Sequence, residues 1–169
     1  MPKAKKQLSQ PSACATTGRR NQKRRGEIGE AAFLAKASSM GFGVAKPWGD
    51  SDRYDFIVDV AGRLLRVQIK SAHCVSASAG GGYNIRCCGH RRGPYQAGEI
   101  DLLVAYIVPE DIWYVFPPCA FQTMKSLRLF PHKKQKVSKF NQYREAWHWF
   151  YETPAPAKQE KTASHATAR

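Results

Sequence analysis

Apolar and polar residues alternate along the chain from residue 54 to residue 71. Residues 54–60 and 63–71 both show this two-residue period, and Ala61-Gly62 interrupts it. A two-residue period places successive side chains on opposite faces of a β-strand, and a short break containing glycine is typical of a hairpin turn. The pattern therefore predicts two antiparallel strands joined at Ala61-Gly62.

The turn also predicts the register of this hairpin. With Val60 opposite Arg63, counting outward along both strands places Asp55 opposite Gln68. One face then carries only apolar side chains, those of Phe56, Val58, Val60, Leu65, Val67 and Ile69. The other face carries the polar residues of both strands, because neighbouring side chains point to opposite sides.

Helical and extended patterns flank the hairpin. Residues 26–40 have a helical composition and end at Gly41, and residues 42–46 predict a short strand. The predicted helix places four apolar side chains on one side, namely Ile28, Ala31, Ala32 and Ala35. Beyond the hairpin, residues 80–88 predict a third strand after a linker rich in Ser, Ala and Gly.

The C-terminal half begins with a nearly continuous apolar run at residues 100–108, typical of a strand buried on both faces, and residues 112–116 predict its hairpin partner. A basic segment, residues 125–139, then leads into a predicted helix capped by Ser138. Its aromatic residues recur at helical spacing, and we interpret them as a packed face rather than a base-stacking platform: Phe140, Tyr143, Trp147 and Phe150. The element order, α-β-β-β-(α)-β-β-α, predicts an α/β fold in which helices flank a mixed central sheet.

Composition indicates a single basic domain. The chain has 169 residues, of which 43% are apolar, so it can bury one ordinary core. Its net charge is +14, and residues 1–25 contain Lys and Arg but no acid. We predict a disordered basic arm (1–25), a domain (26–152) and a disordered tail (153–169). The domain is basic as well, which favours a polyanionic partner such as nucleic acid, although the arm by itself could serve only solubility.

The number and spacing of the cysteines help to indicate the cellular compartment of the protein. The five cysteines follow no disulfide framework, and no stretch approaches the length of a membrane span, so we expect a cytoplasmic protein, nucleoid-associated if bacterial. His73-Cys74 and Cys87-Cys88-Gly89-His90 raise the alternative of a zinc module. The spacing lacks the C-x2-C that lets two thiolates chelate one ion, so we prefer buried free cysteines.

The polar face of the hairpin is the candidate site. Asp55, Gln68 and Lys70 can converge there, because opposed side chains in a hairpin have Cβ atoms about 5 Å apart. Glu27 and Glu30 share a helix face, and one of them could approach Asp55. Such a cluster can hold magnesium through oxygen ligands with a cation beside it. A structural Asp–Lys pair across two strands, and a helix-surface role for both glutamates, are the alternatives.

The pattern of these residues resembles the PD-(D/E)XK nuclease superfamily, in its branch with Gln-x-Lys that includes intron-encoded homing endonucleases. The resemblance extends over residues 26–150, with these matching stretches: Gly26-Glu27-Ile28-Gly29-Glu30, Tyr54-Asp55, Val67-Gln68-Ile69-Lys70-Ser71, Glu99-Ile100-Asp101 and Trp113-Tyr114. It implies a restriction-endonuclease-like core and a DNA endonuclease. An amide stands where the broader superfamily has a second acid, so metal affinity should depend more on Asp55 and Glu30.

The resemblance also implies the role of each site residue. Asp55 would be the central ligand of Mg²⁺, with Mn²⁺ as a substitute, helped by the backbone carbonyl of Ile69 and, directly or through water, by Glu30. Lys70 would position the attacking water and stabilise charge on the phosphoryl oxygens. Gln68 would orient the metal or the water.

The expected substrate is double-stranded DNA. Candidate phosphate contacts, chosen by charge and position, are Ser71, Arg86, Arg91, Arg92, Lys133, Lys134 and Lys136. A homing enzyme must read a long site, so we expect a homo-oligomer, a dimer or a tetramer. The alternatives are a junction-resolving or restriction-like nuclease and a basic nucleic-acid-binding protein without catalysis.

Overall fold

The computed structural model describes residues 19–49, 51–76, 80–89, 93–133 and 138–152. In chain order the elements are α1 (Arg19–Ser39), β1 (Gly43–Ala45), β2 (Phe56–Val60), β3 (Arg63–Ala72), β4 (Tyr83–Arg86), β5 (Cys88–Gly89), β6 (Gly93–Pro94), β7 (Leu102–Ile107), β8 (Ile112–Phe116), α2 (Pro118–Phe121), β9 (Ser126–Leu129) and α3 (Trp149–Glu152). Short 3-10 turns occupy Val108–Glu110 and Asn141–Tyr143.

A five-stranded sheet in the order β1-β2-β3-β7-β8 forms the centre of the protein. The first three strands pair antiparallel, β7 runs parallel to β3, and β8 returns antiparallel to β7. The predicted mixed sheet in an α/β fold is therefore confirmed. Side chains of β7 alternate between two apolar cores, one on each face of the sheet, as the continuous apolar run predicted.

The β2–β3 hairpin has the predicted register, from Val60 opposite Arg63 to Phe56 opposite Val67. Ala61 and Gly62 both have positive φ, 52° and 81°, as a two-residue hairpin turn requires. The six predicted apolar side chains are all buried in one core. Asp55 extends the ladder, since its backbone N–H donates to the carbonyl of Val67 at 2.9 Å. The polar side chains are thereby directed to the opposite face.

Helix α1 begins at Arg19 rather than at residue 26, so residues 19–25, which we assigned to the arm, are helical. Arg, Lys and Gln are good helix formers, which explains a helix without apolar periodicity there. The predicted apolar side was also wrong, because Ile28 is 44% exposed while Phe33 and Ala37 are fully buried. Gly29 belongs to the same buried stripe, and a Cβ at this position would lie 2.8 Å from Cβ of Ser71 on β3.

The predicted third strand does not join the central sheet. It forms as β4 and pairs antiparallel with β9 in a separate two-stranded sheet. The sequence Ser126-Leu127-Arg128-Leu129 alternates in the manner of a strand, but it lies within the segment that we interpreted as a basic run. Because the sequence analysis did not predict β9, it did not predict the strand that pairs with β4.

The predicted C-terminal helix is wrong as a continuous element. Only the turn Asn141–Tyr143 and the four-residue α3 are helical, and between them Arg144 bridges to Tyr114 of β8. Glu145, at φ 49°, donates its N–H to the carbonyl of Trp113 at 2.8 Å. This segment covers the edge strand β8 with backbone hydrogen bonds. A continuous helix could not do so, because its own backbone groups are already hydrogen-bonded within the helix.

The aromatic residues of this segment are core residues, as predicted, but they serve both faces of the sheet. Phe140 and Tyr143 pack in one core, and Trp147 and Phe150 pack in the other. Ser138 is buried and caps no helix of the described chain.

The remaining parts of the predicted arm and tail, residues 1–18 and 153–169, lie outside the described residues. Within the described residues, no helix combines the length and the apolar composition needed to cross a membrane.

Candidate active site

An open cavity of about 470 Å³ lies where the first half of α1 meets the hairpin. It is lined by the four predicted catalytic residues, by neighbouring polar residues and by the start of the next strand: Gln22, Arg25, Gly26, Glu30, Asp55, Gln68, Ile69, Lys70, Ser71, Ala72, His73, Cys74, Ser76 and Asn84. The structure therefore brings together Glu30, Asp55, Gln68 and Lys70, which are far apart in the sequence.

Asp55 is held at the cavity by its own strand and by β3. Its Oδ2 accepts the backbone N–H of Ile69 at 2.7 Å and a hydrogen bond from Nε2 of Gln68. In the described part of the chain no hydrogen bond reaches Oδ1 of Asp55. Burial raises the pKa of Asp55 to about 6, and the N–H of Ile69 and the charge of Lys70 oppose this rise.

Gln68 is the buried polar residue of the site, with 7% of its surface exposed. Its Nε2 donates to the carboxylate of Asp55 and, at 3.1 Å, to the carbonyl oxygen of Ile69. Both partners only accept hydrogen bonds, which fixes the orientation of the amide. The amide group thus lies between two residues, Asp55 and Ile69, that are expected to hold a metal ion.

Lys70 lies in the same cavity without a salt bridge. Within the described ranges no carboxylate is close enough to its ammonium to form one, so the alternative of a direct Asp–Lys pair is not what the structure shows. Burial lowers the pKa of Lys70, and the negative charge of Asp55 opposes this effect. A partly desolvated ammonium next to a carboxylate is a recurring feature of catalytic sites.

Glu30, rather than Glu27, lines the cavity. Its Oε2 lies 2.7 Å from Nζ of Lys46, a residue at the end of β1 that the sequence analysis did not single out. Glu27 lines a smaller cavity on the other side of Glu30, of about 340 Å³. Two carboxylates, those of Glu30 and Asp55, therefore face the same space.

Ser71 holds the first turns of α1 against the site. Its hydroxyl donates to the carbonyl oxygen of Arg25 at 3.0 Å, and Nε2 of His73 lies 3.1 Å from the same oxygen. The same nitrogen of His73 lies 3.2 Å from Oγ of Ser71. Sequence reasoning considered His73 only for the zinc alternative, and its position two residues after Ser71 was the signal that could have placed it at this site.

Arg66 and Asp101 fix β3 to the start of β7. Asp101 is 5% exposed and accepts hydrogen bonds from the backbone N–H of Arg66 at 2.7 Å and from its guanidinium at 3.0 Å. Glu99 pairs with Arg53 at 2.9 Å. The acids of the Glu99-Ile100-Asp101 stretch therefore support the strands that carry the site rather than line the cavity.

The predicted DNA contacts are only partly described. Arg86 is exposed on β4, and the exposed Lys133 places its ammonium 4.1 Å from the ring centroid of Phe130. Arg91, Arg92, Lys134 and Lys136 lie outside the described residues.

The expectation of buried free cysteines holds for Cys87 but not for Cys74 and Cys88, which are half-buried, or for Cys119, which is exposed. Cys87 is fully buried in a core, and burial raises the pKa of its thiol to about 12. In the chain as described, no three His, Cys, Asp or Glu side chains form a group that could hold an ion, and His90 of the zinc alternative lies outside it.

Comparisons with known proteins agree with this geometry. A family model described as PD-(D/E)XK endonuclease matches residues 20–150. Among solved structures, the bacterial homing endonuclease I-Ssp6803I is similar with a TM-score of 0.68 and 34% identity, over 77% of this chain and 93% of that chain. Its likeness confirms the predicted restriction-endonuclease-like fold.

A phage protein is also related. Protein 5.3 of Escherichia phage T7 is 30% identical over 87 residues, which are 52% of this chain and 73% of that protein. Together with the family match over residues 20–150, the cavity that joins Asp55, Gln68 and Lys70 leads to one conclusion. The chain belongs to the PD-(D/E)XK endonuclease family.

Proposed function

We propose that this protein is a magnesium-dependent DNA endonuclease of the homing type that hydrolyses phosphodiester bonds in the cavity of Asp55 and Lys70. One observation carries the proposal: a carboxylate with one oxygen free of hydrogen bonds in the described chain shares a polar cavity with a partly desolvated lysine. A protein that only binds nucleic acid has no need for an acidic cluster facing a polyanion, because it repels phosphate unless a cation intervenes. The Gln-x-Lys motif and the likeness to I-Ssp6803I support the homing role.

The donor set of the cavity fits magnesium. Mg²⁺ is usually bound by one or two carboxylates and keeps several waters. Oδ1 of Asp55, the carbonyl oxygen of Ile69 and the carboxylate of Glu30 are hard oxygen donors of this kind, and the cavity has room for water. When bound, the ion would supply Lewis acidity at the phosphoryl group.

The protein side chains would supply the remaining chemistry. Lys70 stabilises negative charge on the phosphoryl oxygens and orients the attacking water, because a preorganised cation in a partly desolvated site acts more strongly than one in bulk water. Gln68 holds the carboxylate of Asp55 in one orientation. Lys46 holds Glu30 at the rim, and the exposed cations nearby attract the DNA backbone.

The test is cleavage of supercoiled plasmid and of a four-way DNA junction by the purified protein. We expect nicked and linear plasmid with Mg²⁺ or Mn²⁺, no product in excess EDTA, and recovery when Mg²⁺ is added back. Salt-sensitive binding to both substrates without cleavage would instead favour the nucleic-acid-binding protein. Cleavage confined to the junction would favour a junction-resolving enzyme.

We also expect a dimer or a tetramer, because a homing enzyme with one small domain per chain must join copies to read a long site. Light scattering during size-exclusion chromatography would measure this directly, and a monomer at all concentrations would contradict it.

A further inference from the structure

The β4–β9 ribbon has two faces of opposite character. Its strands pair antiparallel, and the inner side chains are all buried in one core: Tyr83, Ile85, Leu127 and Leu129. The outer side chains are all exposed, in two cross-strand pairs: Asn84 with Arg128, and Arg86 with Ser126. The alternation of both strands therefore produces a four-residue polar surface on a ribbon anchored by its other face.

The outer face of the ribbon carries only cationic and neutral polar groups. It contains two guanidinium groups, one amide, one hydroxyl and no carboxylate. In the part of the chain that the structure describes, no hydrogen bond or ion pair is made by the side chains of Asn84 and Arg128. The guanidinium of Arg86 makes one weak contact, at 3.9 Å, with the sulfur of Cys88. The donors and acceptors of this face are therefore available to a ligand.

The outer face is continuous with the candidate active site. Asn84 lines the same cavity as Asp55 and Lys70, and β4 lies against β3, the strand that carries Lys70. A duplex whose backbone enters this cavity would therefore extend over the ribbon. The distance between the ribbon and the site is fixed, because both are built on packed strands.

We propose that the outer face of the β4–β9 ribbon reads base edges in the major groove of duplex DNA beside the scissile phosphate. The major groove is about 12 Å wide and admits a two-stranded ribbon. Arginine pairs bidentately with O6 and N7 of guanine, and asparagine pairs with N6 and N7 of adenine. Asn84, Arg86 and Arg128 are thus specificity-determining residues, which rests on the proposed nuclease function.

This assignment changes the role of Arg86, chosen above only by its charge as a phosphate contact. A phosphate contact strengthens binding to every sequence, whereas a base contact strengthens binding to some sequences only. The two roles therefore differ in what a substitution does to cleavage preference.

The experiment digests a long duplex pool of randomised sequence with the protein and Mg²⁺, then sequences the product ends. The wild-type ends should show a sequence preference at fixed distances from the cut. Asn84→Ala should lose about 5- to 150-fold preference at one or two positions, the loss expected for one bidentate pair, without any change of charge. Arg128→Lys and Arg86→Lys keep the charge but not the bidentate geometry, so each should lose preference at one or two positions.

Arg24→Ala is the matched control, because Arg24 is an exposed cation that belongs to α1 and not to the ribbon. It should lower cleavage of all sequences alike and leave the preference unchanged. Thermal unfolding midpoints of the exposed-residue variants, equal to that of the wild type, would exclude a folding effect.

The outcomes separate this inference from the proposed function. Cleavage by the wild type with unchanged preference in all three ribbon variants overturns the reading role of the ribbon and leaves the nuclease intact. Cleavage by the wild type with no sequence preference also overturns it. If the wild type does not cut duplex DNA with Mg²⁺, whether or not it binds, the proposed function fails, and the ribbon assignment fails with it.

Discussion

The amide of Gln68 donates a hydrogen bond to Oδ2 of Asp55, and Oδ1 receives none in the described part of the chain. The same nitrogen donates to the carbonyl oxygen of Ile69, the other expected ligand. The neutral amide thus links two residues, Asp55 and Ile69, that are both expected to supply an oxygen ligand to a bound cation. An acid at position 68, as in the broader superfamily, could not make either hydrogen bond when ionised.

Gln68→Glu is therefore expected to destabilise the metal-free protein and to strengthen metal binding. The variant loses two hydrogen bonds and places a second carboxylate beside Asp55, at a cost of about 1–3 kcal/mol. A charged ligand should lower the Kd for Mg²⁺ by about tenfold. Thermal unfolding with and without Mg²⁺ measures both effects. Gln142→Glu, at an exposed position outside the cavity, is the control, and an equal shift with Mg²⁺ in both variants would contradict the expectation.

Metal binding should weaken at acidic pH because of Asp55. Its carboxyl has a pKa of about 6 in the folded protein, and protons compete with the cation for the ionised form. The Kd for Mg²⁺, measured by calorimetry, should be nearly constant above about pH 7 and rise roughly tenfold per unit below about pH 6. A Kd that does not change between about pH 5 and about pH 8 would show that Asp55 is not a ligand.

Asp55 should also make stability depend on pH in the opposite sense to an ordinary paired carboxylate. Its folded pKa, about 6, lies above the usual 3.8, so the folded state binds the proton more tightly than the unfolded state. The contribution of protonated Asp55 to the free energy of unfolding is full below about pH 4 and is lost as pH rises through about 6. The stabilisation of Asp55→Asn relative to the wild type should increase by on the order of 2 kcal/mol over this window. Urea unfolding at both ends of the window measures it, and a constant difference would contradict the prediction.

Two glycines of α1 should respond in opposite ways to alanine. In Gly29→Ala the new Cβ would lie 2.8 Å from Cβ of Ser71, so α1 must move away from β3, at about 1–3 kcal/mol. In Gly26→Ala the new Cβ has no atom within 4 Å and should stabilise the helix by about 0.5–1 kcal/mol. Urea unfolding of both variants tests the close approach. A stabilising Gly29→Ala would contradict it.

Local patterns were sufficient to predict the parts of the fold that bear the site. The alternation around Ala61-Gly62 predicted the register, and the register alone placed Asp55 beside Gln68. The position of Glu30 in the cavity required the resemblance, because helical spacing could not choose between Glu27 and Glu30.

The errors arose where tertiary packing decides the structure. The strand Ser126–Leu129 is half charged or polar, and only its pairing with β4 shows that Leu127 and Leu129 face a core. The aromatic residues after Ser138 have helical spacing, yet they pack in two separate cores because the chain crosses the edge of β8 between them. Lys46 reaches Glu30 from the end of β1, a long-range contact that no local period encodes.

The central claim is that Asp55 and Lys70 catalyse phosphodiester hydrolysis. The most direct measurement is the rate of plasmid cleavage in Mg²⁺ by Asp55→Asn and Lys70→Met, beside the exposed controls Asp59→Asn and Lys139→Met. The account predicts a loss of at least about a hundredfold in both site variants, with DNA binding retained, and rates near the wild type in both controls. Wild-type cleavage rates in folded Asp55→Asn and Lys70→Met would contradict it.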